Sequence, residues 1–430
     1  MALSPWILWM LTIPGQLDFF THKPPPAPTL LAIEQEISRG LKTQVVSLEK
    51  CLSEAMEYQP RIQAAKASQR AAEAAHSGIY SLRGIARLMP DLSVRKKQAD
   101  EGLEISQALL TKEVEDTKYA IRRAYFTVIY AGIQAGRINR LIEALERTKK
   151  ELGKDLVWWA IEESIGLNGK MRMTLSEAKN QLAVAQLGRL KARFLLSEEM
   201  GGLVALGYLP EPLDKTLLKP KMGLTLEHLE TMVDEKGPER ILARVGRDVA
   251  RLEVEAQKRS SSFNFVNRTF AAFTDTGVAP IPTPDRGAEF RPGAINIEMS
   301  TFMGGPKSNR VFRAAALADR AEFTEQTATN LTRLEARVAF LTHREIERRL
   351  EAERASINDA LKVYNRVTKS TIGLMDTLLL AQGIQLMVDY EKLRFDQALI
   401  AADMMRMSGG SIEIPFEALG ANEPMKDLAP

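Results

Sequence analysis

Ser47-Leu48-Glu49 opens a run that reaches Pro60 thirteen residues later, and Thr225-Leu226-Glu227 opens another that reaches Pro238 after the same interval. These two runs are 178 residues apart, whereas Arg123-Ala124-Tyr125-Phe126 and Arg337-Val338-Ala339-Phe340 are 214 apart. Ala/Leu-rich helices match one another by chance, but two separate anchors and one local length difference argue for duplication. The chain therefore reads as an imperfect tandem repeat whose second copy carries about 36 extra residues between the marks.

The 430 residues suffice for two or three domains or one elongated repeat protein. Lys and Arg exceed Asp and Glu by only three, and the basic residues do not gather on one stretch, which disfavours a nucleic-acid partner. The single cysteine, Cys51, excludes an intrachain disulfide and lies far from the N-terminus, so it is no obvious lipid-attachment site. Pro5 to Ile13 form an apolar run too short to span a bilayer as a helix. Its length suits the core of an export signal, although no basic residue precedes it and no clean small-x-small site follows; an interfacial anchor and a misplaced start codon remain alternatives. No later stretch reaches eighteen uncharged apolar residues, which excludes a helical membrane protein.

Residues 1–43 read as a possible signal segment followed by a stiff arm, His22-Lys23-Pro24-Pro25-Pro26-Ala27-Pro28. Residues 44–200 read as a helical first repeat without strands. Leu110, Val114, Thr117, Ile121, Ala124 and Val128 follow 4-3-4-3-4 spacing, and Leu331, Leu334, Val338 and Leu341 repeat that seam in the second copy. No proline falls between Asp91 and Trp158, so one helix there would reach roughly 100 Å at 1.5 Å per residue, and a rod is expected. Pro90 marks a tight reversal, with Asp91 able to cap the helix that follows. At the matching place in the second repeat (residues 224–410), Ser262–Val266 and Ile295–Met299 alternate apolar with polar around a Gly/Pro-rich loop. A β-strand pair over about 262–302 is expected, and it accounts for the extra residues. Residues 201–223 and 411–430, each with three prolines, read as an extended connector and an extended tail.

These residues bear a resemblance. The Ser-Leu-x-x-x-Leu-x-x-Ala opening before Pro60, the Pro-Asp-Leu at 90–92 and Ala124-Tyr125-Phe126 resemble the TolC-type outer-membrane efflux proteins. Ala294 to Ser300 leading into Gly304-Gly305-Pro306-Lys307 is similar to that family's last strand and its Gly-rich exit. Gly373-Leu374-Met375-Asp376-Thr377-Leu378-Leu379-Leu380-Ala381-Gln382 is similar to its helix-turn-helix motif, with a looser counterpart from Gly169 to Ala178. The resemblance spans roughly residues 44 to 410. It implies a mainly α fold of long antiparallel coiled-coil hairpins in tandem repeat, the protomer of an α-barrel, with one short β-strand pair. It also implies a homotrimer in the bacterial outer membrane projecting into the periplasm, the passive conduit of a tripartite efflux or secretion system. The expected partners are a periplasmic adaptor and an inner-membrane pump. Gly169, Ser176, Glu177, Ala178, Gly373, Asp376, Ala381 and Gln382 would mark the periplasmic tip and adaptor-docking turns. Phe263, Phe265, Ile295, Ile297 and Met299 would face the membrane. The chain departs from the family where copy one lacks its strands: three chains with two strands each supply six, fewer than known bacterial barrels use.

Glu177 and Asp376 could form a charged ring if symmetry multiplies them; ordinary exposed acids at a helix turn are the simpler account. Trp158 and Trp159 suit either a docking patch or packing between helices. The phenylalanines at 263, 265, 270, 273, 290 and 302 suit an interfacial aromatic belt as well as the core of a small cap. Gly166 to Met171 contains a Gly-Lys pair without the glycine spacing or the following Ser/Thr of a P-loop. His22, His76, His228 and His343 are scattered without metal-ligand spacing. No nucleophile has an evident base, so no enzyme, cofactor or metal is expected. The alternative to a duct is a non-conducting periplasmic coiled-coil scaffold derived from one.

Overall fold

Ser47 and Thr225 each start a helix by the same device. Their hydroxyl oxygens accept from the backbone N–H three residues on, Lys50 and His228, at 3.3 Å in both copies. Such N-caps contribute about 1 kcal/mol each. The structure is a computed structural model; it describes residues 44–152, 161–202, 208–210, 218–220, 223–259, 306–367 and 374–418. The chain divides into two units, 1–42 and 43–430, and all described residues belong to the second.

In the first copy, β1 (Gln44–Val46) leads to α1 (Leu48–Tyr58) and α2 (Pro60–Tyr80), then a 3-10 turn (Gly84–Leu88), α3 (Leu92–Leu152) and α4 (Ile161–Glu199). The strands β2 (Tyr208–Pro210) and β3 (Leu218–Pro220) follow. The second copy runs α5 (Leu226–Lys236), α6 (Pro238–Arg259), α7 (Lys307–Val367) and α8 (Leu374–Met407), and ends in β4 (Phe416–Ala418). The lengths match in order. α1 and α5 both have 11 residues, α2 and α6 have 21 and 22, and α3 and α7 both have 61. At 1.5 Å per residue, α3 and α7 are each about 90 Å long. Pro60 and Pro238 start α2 and α6, where proline's missing N–H costs nothing and its fixed torsion suits the first turn.

A second shared device closes each copy. Beyond α4, Gly201 adopts φ +92°, and a Cβ there would lie 2.6 Å from the Tyr58 carbonyl oxygen, at the α1–α2 joint. Beyond α8, Gly409 adopts φ +61°, and its Cβ would lie 2.5 Å from the Lys236 carbonyl oxygen, at the α5–α6 joint. In both copies the last long helix turns back through a left-handed glycine that packs directly on the backbone of the first joint. Gln59 reinforces the first of these by donating to the carbonyls of Glu198 and Glu199, at 3.2 and 2.9 Å.

α3 is the central helix and packs against α2, α4, α6 and α8, whereas α7 packs against α5, α6 and α8. This difference corrects one expectation. The α3 seam is buried at Thr117, Ile121, Ala124 and Val128, and its 4-3 spacing continues through Ala131, Ala135, Ile138, Ile142 and Leu145, all buried. Leu331, Leu334, Val338 and Leu341 on α7 are not a seam within the chain: they are 40–61% exposed. The face α7 buries instead carries Ala328, Ala336, His343 and Ile346. The heptad signal was present on both helices, but only α3 has neighbours on both sides.

The connector and tail expected to be extended contain three-residue strands. β2 pairs in parallel with β1, Val46 opposite Pro210, and β3 pairs antiparallel with β4, Pro220 opposite Phe416. Strands of this length have no alternation to read. Pro90 lies at the reversal just beyond the 3-10 turn, but the Asp91 side chain does not cap α3: its carboxylate Oδ2 accepts from Arg95 Nε at 3.2 Å in a buried cluster, and Oδ1 has no hydrogen-bond partner. Trp158, Trp159 and the expected strand pair at 262–302 lie outside the described residues.

Candidate functional site

Two regions of this fold could meet other molecules: the ends of the α3–α4 and α7–α8 hairpins, and apolar stripes along the helices that nothing among the described residues covers. Near the hairpin ends, Ala135, Ile138, Ile142 and Leu145 of α3 pack with Ala178 and Ala185 of α4 and Ile384 of α8. Lys179 ties α4 to Glu146 of α3 at 3.0 Å. The two hairpins are joined by Arg137 of α3, which donates to Glu391 of α8 at 2.6 Å; the Glu391 side chain is 1% exposed. Breaking so buried a pair costs about 3–5 kcal/mol, because it strands a charge away from water. Tyr130, one α3 repeat away, stacks on Phe395 with ring centroids 4.9 Å apart. Burial pushes its phenol up to about 12, with Asp396 the next contribution.

The sequence-derived tip residues are placed as follows. Gly169 lies inside α4, nine residues into the helix; residues 153–160, between α3 and α4, lie outside the described residues. Ser176 and Glu177 are exposed on α4, and Ala178 is buried against α3. Gly373 lies outside the described residues and immediately precedes α8; Asp376 and Ala381 fall on α8, and Gln382 is exposed there. The two groups are therefore not related by the same position in each copy. Phe263, Phe265, Ile295, Ile297 and Met299 lie outside the described residues.

The α4 stripe was not singled out from sequence, and the α7 residues were read there as a seam rather than as an exposed surface. On α7, Phe312 and Phe323 extend the line of Leu331, Leu334, Val338 and Leu341. On α4, Met173, Val184, Leu187 and Phe194 are 39–74% exposed at three- and four-residue multiples. The 4-3 spacing that revealed the α3 seam was the available signal. Beside the α7 stripe, a shallow groove of about 630 Å³ runs between α7 and α8, floored by Ile346, Leu393, Leu399 and Ile400. Its margin carries Glu345, Arg349 and Asp396. Hydrogen bonds from Arg348 and Arg349 hold the Glu345 carboxyl down at about 2, whereas burial raises that of Asp396. No helix among the described residues is long and apolar enough to cross a membrane.

No family model and no curated protein matches the sequence. Solved structures do. CusC, studied for its transmembrane channel formation, aligns with TM-score 0.62 at 10% identity, over 86% of this chain and 94% of CusC. The open-state outer-membrane channel MtrE of Neisseria gonorrhoeae aligns with TM-score 0.61 at 13% identity, over 85% and 89% of the two chains. The CmeC outer-membrane channel of Campylobacter jejuni gives 0.59 at 13%, over 85% and 86%. At such identities the likeness concerns the backbone. The chain has the TolC-type fold, the tandem helical-hairpin architecture of outer-membrane channels.

Proposed function

We propose that the chain is one protomer of an outer-membrane efflux duct, assembled as a homotrimer and projecting into the periplasm. Solute passes passively through the helical barrel, and a periplasmic adaptor and an inner-membrane pump engage the hairpin ends. The observation that carries this reading is the pair of apolar stripes on α4 and α7, left open among the described residues, of a fold shared with such channels. The stripes lie on different helices, so contact between copies is head-to-tail, and a head-to-tail contact closes into a ring when its rotation permits. A ring of long helices encloses a lumen, which is what a conduit needs. Ser176 and Glu177 on α4, with Asp376 and Gln382 on α8, are the proposed docking residues.

One observation favours a second reading. The α2–α3 connection is a 3-10 turn with no strand, so the first copy contributes nothing to a barrel there. A scaffold that has lost its pore is the consequence if the remaining strands cannot span. The deciding experiment fractionates native membranes on a sucrose gradient, then reconstitutes the detergent-extracted oligomer into planar bilayers. Stepwise conductance from an outer-membrane trimer supports the duct. A periplasmic monomer or dimer that conducts nothing refutes it and leaves the scaffold.

A further inference from the structure

The turn that replaces strands in the first copy is not inert. Arg83 and Arg87 flank Gly84 and Leu88 on the exposed edge of the 3-10 turn, and Leu88 is 81% exposed, the highest value for any large apolar residue described. Gly84 enters the turn at φ +64°, with open space around it. Lys97 on the second turn of α3, Lys258 at the end of α6 and Lys307 at the start of α7 are exposed at the same end of the bundle. That shared end is set by bonds between the helices: Arg259 donates to Ser93 Oγ at 2.8 Å, Arg95 to Glu253, and Arg251 of α6 pairs with Glu322 of α7.

Among the described residues, charge at this end is one-sided. Asp91 and Glu253 are buried and shared by Arg95, Glu255 is held by Arg259, and Asp100 accepts from Tyr80 and contacts His76. Among the described residues, Arg83, Arg87, Lys97, Lys258 and Lys307 have no carboxylate partner. Asp91, Glu253, Glu255 and Asp100 are engaged in internal contacts, and these five cations are left outside, around one projecting leucine.

We propose that this end is a membrane-surface contact: the five unpaired cations engage the phosphates of anionic phospholipid headgroups, and Leu88 enters the headgroup–acyl boundary. Guanidinium and ammonium groups suit phosphate chemistry, and each cation near an anionic leaflet favours binding about fivefold. An apolar tip among basic residues is the pattern of interfacial anchors. The first copy thus grips the leaflet from its surface, at the end where the second copy carries the expected strands. The inference rests on the duct reading, in which this end faces the outer membrane.

The test uses the full chain carrying Leu88→Cys, labelled with an environment-sensitive fluorophore. Cys51 stays unlabelled, because it is buried and burial pushes its thiol up to about 12. The protein is reconstituted with vesicles of phosphatidylcholine, with or without phosphatidylglycerol, and floated on a density gradient. The expected result is co-flotation with a blue-shifted emission only where phosphatidylglycerol is present. That shift is lost at 1 M salt, where the screening length falls to about 3 Å. It is also lost in Arg83→Glu/Arg87→Glu, whose surface contact is weaker by at least about thirtyfold. Co-flotation with an aqueous emission in both vesicle types overturns this inference and spares the duct. A blue shift already present without lipid overturns it in favour of a protein neighbour. Failure to float in either mixture sinks the duct reading and this inference with it.

Discussion

Replacing Arg95 with methionine should damage the protein more than any other single change at the α3–α6 contact. Arg95 is 4% exposed and holds two buried carboxylates: Asp91 at 3.2 Å and Glu253 at 2.5 Å, while Gln98 bonds both Arg95 and Glu253, at 2.7 and 3.0 Å. The three charges sum to minus one. Arg95→Met leaves two like charges buried without a counter-ion, a loss of about 3–5 kcal/mol. Glu253→Gln leaves a neutral Arg95–Asp91 pair and turns the acceptor of Arg95, Gln98 and Gln257 from a carboxylate into a neutral amide, with the Arg95 bond alone worth about 1.5–3 kcal/mol. In an Asp91→Asn/Glu253→Gln background, Arg95→Met removes the cation when no carboxylate remains, and its cost should fall to that of an ordinary polar-to-apolar exchange. With unfolding entropy scaling with chain length, the single Arg95→Met change lowers the melting midpoint by about 3–6 °C. Calorimetry measures that shift, and amide hydrogen exchange at the start of α3 and the end of α6 localises it. An Arg95→Met cost equal in both backgrounds, or no larger than that of Glu253→Gln, refutes the charge argument.

Leu334→Asp/Val338→Asp should break the oligomer. Each side chain is about half exposed, so covering the rest is worth about 1 kcal/mol per residue at each copy-to-copy contact; light scattering in detergent should report a monomer, and an unchanged oligomer would remove α7 from the interface. Gly409→Val should cost several kcal/mol, because φ +61° is hostile to a branched residue and its Cβ would meet the Lys236 carbonyl; a stability equal to that of a Gly246→Ala control, where an added Cβ meets open space, contradicts this. His343 is fully buried with neither ring nitrogen hydrogen-bonded, and burial lowers its pKa below the ordinary 6.5. The unfolded chain therefore binds this proton first, so stability is full above about pH 6.5 and declines as pH falls toward the folded pKa. His343→Leu should flatten the melting midpoint between pH 7 and pH 5, and an unaltered slope would assign the acid sensitivity elsewhere.

Much of the fold was legible because its signals are periodic and local. The spacing from Ser47 to Pro60, repeated from Thr225 to Pro238, located α1, α2, α5 and α6 through a cap oxygen and a proline that need no distant partner. The candidate site was legible only in part. Gly169 matched a motif by composition, yet nothing local distinguishes a glycine inside a helix from one at its end, and α4 runs through it. Arg137 and Glu391 are 254 residues apart, and no local pattern links residues so separated.

By itself the sequence determined that this chain is a duplicated set of long helices, because 4-3 spacing, capping hydroxyls and prolines act over one or two turns. Which stripes are core and which are surface was decided by tertiary structure. Leu331, Leu334, Val338 and Leu341 carry the same heptad pattern as the buried α3 seam, yet they face outward. A heptad states that a helix has an apolar side; only the number and placement of its neighbours decides whether that side is already covered.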